Sequence, residues 1–125
     1  MSRKIMLVED DSDCSLILNK VLSNAGYEVN TLSDGKSIVE NKFSLPDIFI
    51  LDNFMPMIQG IALCKFLKLQ ARTKSIPVII ISCNKQLKQN ASEAGATSFL
   101  GKPFHTRDLL TTIDAIWNEQ KTLNG

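Results

Sequence analysis

Glu9, Asp10, Asp52, Ser82 and Lys102 each stand where a short apolar run stops. KIMLVED closes on two acids at residues 9 and 10, and DIFILD delivers one carboxylate to its tip at residue 52. IPVIIIS ends on the hydroxyl of Ser82, and TSFLG is followed directly by Lys102. Three carboxylates brought together would repel and raise one another's pKa unless a hard divalent cation such as Mg²⁺, or Mn²⁺ in its place, offsets the charge. Mg²⁺ keeps several waters and favours one or two carboxylates plus a phosphate oxygen, which suits a site that receives a phosphoryl group. Asp52 is the candidate acceptor, a carboxylate nucleophile, while Glu9 and Asp10 hold the cation beside it. Lys102 would pair with the phosphoryl oxygens, and the Ser82 hydroxyl could donate to one of them.

Residues that come together only at strand ends need elements that bring the ends together. The runs 4–10, 47–52 and 76–82 are nearly continuous in Ile, Leu, Val and Phe, as in strands buried on both faces. Residues 27–32 and 97–101 are weaker, edge-like versions. Between them fall helical stripes. Ile17, Leu18, Val21, Leu22 and Ala25 share one face, with Gly26 as the stop, and Leu63, Phe66 and Leu67 share another. Leu109, Leu110, Ile113, Ile116 and Trp117 form the clearest stripe, with Asp108 near its start and Lys121 near its end. Residues 35–43 and 85–94 complete the set but are poor in large apolar side chains, and Leu87, Ala91 and Ala94 make the fourth helix the loosest. Strands alternating with helices imply right-handed crossovers and a parallel sheet covered on both faces, with ligands bound beyond the carboxyl ends of the strands.

At 125 residues the chain suits one domain spanning 1–125. With 44% hydrophobic residues, 22% charged and a net charge of +1, neither disorder nor a strong nucleic-acid field is indicated. No apolar run reaches the roughly 18 residues of a membrane span, and MSRKIMLVEDD meets acid too early for a signal peptide, so a cytoplasmic setting is expected. Cys14, Cys64 and Cys83 have neither zinc-site nor disulfide spacing and read as free buried thiols. His105 reads as a loop or first-turn residue, Trp117 as core. Lys85 and Lys88 show no basic patch with aromatic partners, which argues against direct nucleic-acid binding.

Taken in order, Val8-Glu9-Asp10-Asp11, Asp52 with Met55-Pro56 and Gly60, Ser82, and Phe99 with Lys102-Pro103-Phe104 resemble the receiver domain of two-component response regulators over residues 4–120. The resemblance implies a flavodoxin-like, doubly wound (βα)5 α/β fold with strand order 2-1-3-4-5. It also implies phosphorylation of Asp52 by a histidine kinase or phosphotransfer protein. Asp10 and Asp52 would bind Mg²⁺ directly, Glu9 through water and Phe54 through its backbone carbonyl, with Asp11 outside the shell. The Lys102-Pro103 bond would be cis. Ser82 and Phe99 would form a switch pair acting on a face built from the fourth and fifth helices and fifth strand, read by an unknown effector. The unphosphorylated state would be monomeric, and because 95–99 lacks the paired aspartates of many DNA-binding regulators the usual activated dimer is not assumed.

Two other classes compete. A phosphatase with Asp52 as nucleophile, of the haloacid-dehalogenase type, needs an acid two residues on, where Phe54 stands. A pseudo-receiver that only binds proteins would not need Glu9, Asp10, Asp52, Ser82 and Lys102 together. The expected class is therefore a phosphoacceptor switch rather than an enzyme, with limited self-phosphorylation and self-dephosphorylation.

Overall fold

The structure is a computed structural model that describes residues 3–55 and 58–124, the side chains of 121–124 apart. Pro56 of the Met55-Pro56 motif and the side chain of Lys121 lie outside the described residues. Five strands, β1 (Lys4–Val8), β2 (Glu28–Leu32), β3 (Ile48–Asp52), β4 (Val78–Ser82) and β5 (Ser98–Gly101), form one parallel sheet in the order β2-β1-β3-β4-β5. Each is followed by a helix: α1 (Ser12–Asn24), α2 (Lys36–Val39), α3 (Gly60–Lys68), α4 (Lys88–Glu93) and α5 (Thr106–Asn124). The flavodoxin-like doubly wound α/β fold expected from the sequence is the fold observed.

Burial follows position in the sheet. Every residue of β3 and β4 is buried, whereas β2 and β5, the two edges, are only partly covered. Because strand side chains alternate, the sheet feeds two cores. Val8, Leu51 and Ile80 pack with Ile38, Leu63, Leu67 and Ala91 on one face; Leu7, Ile50 and Ile81 pack with Leu18, Leu22, Leu109 and Ile113 on the other.

The helices differ from the expected stripes in instructive ways. Leu18 and Leu22 anchor α1, but Ile17 is 58% exposed and Leu16 70%, so the stripe is narrower than its hydrophobicity implied. Ala25 caps α1 and Gly26 takes φ +99°, the left-handed stop that glycine permits. Residues 35–43 yield only the single turn of α2, and Asn41 at φ 58° turns the chain away. Residues 85–94 split into a 3-10 turn (Lys85–Leu87) and the six-residue α4, with Ala91 as its one buried side chain.

Gly60, at the start of α3, does not act mainly as a turn residue. A Cβ there would stand 2.6 Å from the Asp52 carbonyl oxygen, so glycine lets α3 press against the backbone that carries Asp52. Alanine normally favours a helix over glycine by about 1 kcal/mol. Gly60→Ala should instead destabilise the fold by about 1–3 kcal/mol in urea titration, because backbone must move to admit the methyl group.

Candidate functional site

The backbone ladder extends beyond the strands to hold the site. Glu9 N–H donates to the Leu32 carbonyl at 2.9 Å, Asn53 N–H to Ile81 at 2.8 Å, and Lys102 N–H to Ser82 at 2.8 Å. Helix starts reinforce this. Asp11 caps α1, its Oδ1 accepting from Asp13 and Cys14 N–H at 2.9 and 3.0 Å, so its carboxylate is engaged outside the acidic cluster. Asn53 Oδ1 accepts from Ile61 N–H at 3.0 Å and ties the residue after Asp52 to α3.

Glu9, Asp10 and Asp52 present carboxylate oxygens all within 4.8 Å of one another. Glu9 and Asp52 are buried at 3% and 5% exposure, while Asp10 is exposed at the mouth. Lys102 reaches in from the end of β5, its Nζ 3.0 Å from Glu9 Oε1 and 3.6 Å from Asp52 Oδ2. Its peptide bond to Pro103 is cis. Asp52 Oδ1 also accepts from Phe54 N–H at 3.3 Å. Ser82 is buried beside them, and its Oγ accepts from Asn84 N–H at 3.0 Å, which leaves the hydroxyl proton free to point elsewhere. These side chains line a cleft of about 740 Å³ with Phe54 and Gln59. Phe54 is 81% exposed, and Phe99 lies half-buried against the α3 and α4 side of the core rather than in the cleft lining.

Two buried acids share one ammonium, and their ionisations separate accordingly. Asp52 is pushed up to about 7 by burial, then by the hydrogen bond and charge of Glu9, against the pull of Lys102. For Glu9, burial acts upward, but hydrogen bonds with Asp52, Cys14 and Lys102 outweigh it and hold the acid down at about 2. Burial lowers the Lys102 pKa, and its bond to Glu9 and the charge of Asp52 more than reverse that, so it stays charged.

Residues 5–114 match the family model of the response regulator receiver domain. The chain belongs to this family. It is 33% identical over 120 residues to the transcriptional regulatory protein GltR of Pseudomonas aeruginosa, covering 91% of this chain and 48% of that one. It is 31% identical to the phosphate regulon regulator PhoB of Rhizobium meliloti over 124 residues, 97% of this chain and 55% of that protein. The chain thus spans about half the length of the curated relatives it matches. The solved chemotaxis response regulator CheY4 of Vibrio cholerae superposes with a TM-score of 0.85 at 28% identity, over 93% of this chain and 99% of that one. Receiver domains are phosphoacceptor signalling domains of two-component systems rather than true enzymes, and they bind Mg²⁺ in their acidic site. No helix among the described residues is long and apolar enough to cross a membrane.

Sequence reasoning missed one neighbour of the receiver's acidic cluster. Cys14 is half-buried with Sγ 3.9 Å from Lys102 Nζ, and burial together with Glu9 pushes its thiol up to about 12. The signal was available, since Cys14 lies three residues past the Asp11 cap and so faces back toward the end of β1. The three thiols are not alike: Cys64 is buried, but Cys83 is exposed, because it lies just past β4 at the open edge of the cleft.

The raised Asp52 sets a pH dependence. Its folded value of about 7 lies above the ordinary 3.8, so the stability gained from its protonation is complete below about 4 and lost as pH rises through 7. In metal-free protein, Asp52→Asn should exceed wild type by about 1–3 kcal/mol at pH 8 and lose that advantage progressively as pH falls from 7 toward 4. Paired urea titrations check this; a variant less stable than wild type at pH 8 would contradict the assigned cost of burying the Asp52 charge beside Glu9.

Proposed function

We propose that this chain, one receiver unit over residues 1–125, is a signalling switch that accepts a phosphoryl group on Asp52 from a histidine kinase or phosphotransfer protein. The observation that carries this reading is the convergence of Glu9, Asp10 and Asp52 within 4.8 Å against a single lysine. That donor set is all oxygen, hard and short of positive charge, so it fits Mg²⁺ or Mn²⁺. Asp10, Asp52 and the Phe54 carbonyl would hold the ion directly and Glu9 through water. When bound, the ion supplies charge that lets Asp52 stay ionised and neutralises phosphoryl oxygens.

An Asp52 carboxylate oxygen forms the new bond to phosphorus as the bond from phosphorus to the donor's imidazole nitrogen breaks, and the imidazole leaves as the neutral ring after taking a proton. Lys102, now 3.0 Å from Glu9, is within reach of the incoming oxygens, and Ser82 turns its free hydroxyl proton toward another. Withdrawal of Ser82 toward the acceptor opens space for Phe99, and the lightly anchored α4 is the segment able to rearrange. The resulting face of α4, β5 and α5 is read by an effector protein, with the unphosphorylated chain monomeric and cytoplasmic. Phe54 lacks the carboxylate that a turning-over phosphatase requires, which supports the switch over the enzyme.

Incubation with Mg²⁺ and a small phosphodonor or beryllofluoride, followed by intact mass and NMR, tests the reading. Wild type should be modified at Asp52, EDTA should abolish the reaction, and Asp52→Asn should stay unmodified. Equal modification of that variant would refute the assignment. Phe54 is exposed and lines the cleft mouth, where its ring would screen a phosphorylated Asp52 from water. Phe54→Asn should therefore shorten the phosphoryl lifetime several-fold in a dephosphorylation time course, and an equal or longer lifetime would count against a shielding role.

A further inference from the structure

Cys14 has no part in the transfer described above, yet its sulfur lies 3.9 Å from the Lys102 ammonium. It stands in the first turn of α1, where Asp11 Oδ1 accepts from its backbone N–H at 3.0 Å and fixes the turn. It does not line the acidic cleft. Instead it borders an adjoining cavity of about 700 Å³ together with Ile17, Pro103 and Phe104, and Lys102 lines both spaces. The thiol therefore meets the ammonium from the neighbouring space rather than from the cleft. We propose that Cys14 is a positioning residue of the phosphoacceptor site, bridging Lys102 and Glu9 so that the ammonium stays over the acidic pair, ready for phosphoryl oxygens. Resting on the switch reading above, this role acts through Lys102 and involves no contact with phosphorus.

An ammonium has three N–H donors and no acceptor. On Lys102 one is matched by Glu9 Oε1 at 3.0 Å, Asp52 Oδ2 lies at 3.6 Å, and Cys14 Sγ supplies the third neighbour. With three directions occupied, Nζ has little freedom to swing away. The thiol also has a proton to give. It hydrogen-bonds to the Glu9 carboxylate and is one of the contacts that hold that acid ionised. Burial and Glu9 together keep the S–H protonated, so it remains a donor. Sulfur thus faces the cation and its proton faces the anion, which serves both partners with a neutral group.

The weakness of sulfur as an acceptor suits this task. Lys102 must leave Glu9 for the incoming oxygens, so a contact that aligns the ammonium and then yields is more useful than a further charge. Further charge is close by: Asp11 and Asp13 border the same cavity as Cys14. A Lys102 released from the sulfur is free to turn toward those acids and away from Asp52.

Two variants of the full chain test the bridge: Cys14→Val, apolar and close in size, and Cys14→Ser, which keeps a donor and an acceptor. In protein carrying isotope-labelled lysine, without metal or phosphodonor, the Lys102 ammonium resonance is assigned by its loss in Lys102→Arg. It should be sharp in wild type and Cys14→Ser and shifted or broadened in Cys14→Val. With Mg²⁺ and acetyl phosphate, the rate constant for modification of Asp52 should fall about fivefold in Cys14→Val and return to within about twofold of wild type in Cys14→Ser. The Mg²⁺ dissociation constant, followed by amide shifts, should be the same in all three, and urea midpoints verify that each variant is folded. An unperturbed Lys102 resonance in Cys14→Val, equal rates in all three proteins, or equal losses in both variants would overturn the proposal. So would a rate loss matched by an equal loss of Mg²⁺ affinity, which marks general damage to the site. The lysine resonance is read in unmodified protein, so the bridge is tested even where Asp52 fails to accept a phosphoryl group.

Discussion

Two carboxylates almost withdrawn from water, with one ammonium between them, are the constraint around which this receiver domain is built. Glu9 and Asp52 would each rather be solvated, and Lys102 reaches both at 3.0 and 3.6 Å but neutralises only one. The consequence is an asymmetric pair, Glu9 firmly ionised and Asp52 held near the point of protonation. A site in that condition is short of positive charge, and the shortage is chemically useful. Receiver domains bind Mg²⁺ in this acidic site, and the less comfortable carboxylate is the one with most to gain from added positive charge.

Such a cluster persists only if the surrounding chain cannot relax it away. The fully buried β3 and β4 supply that rigidity, and hydrogen bonds from Glu9, Asn53 and Lys102 continue the sheet up to the acidic cluster. Helix starts are used as anchors: Asp11 fastens α1 behind the acidic pair, Asn53 fastens α3, and Gly60 lets α3 touch the Asp52 backbone. On the opposite side the anchoring is deliberately weaker in effect, with one alanine burying the short α4. Rigidity beneath Asp52, the proposed acceptor, and slack beside it are the two conditions for converting a local charge change into a change of surface.

The same lysine type is held in different ways at different positions. Lys102 is held by two acids at the cluster, while the exposed Lys85 lies across Gly101, where a Cβ would stand 2.8 Å from its Cγ. Phe99 packs half-buried against the α3 and α4 side of the core.

Much of this was legible from residue order alone. Continuous apolar runs ending in Asp, Ser or before Lys specify buried parallel strands and put chemistry at their tips, because a parallel sheet aligns all carboxyl ends on one edge. The edge character of β2 and β5 was equally visible in their weaker apolar content. What the sequence could not show were distances across the chain. Cys14 against Lys102, the outward turn of Ile17 and Cys83, the collapse of 35–43 to one turn, and Gly101 beneath Lys85 all depend on contacts between residues far apart in order. Local pattern determined which faces are apolar and where charges stop a strand; tertiary packing alone decided which of those charges meet, because desolvation and pairing act through space and carry no fixed spacing along the chain.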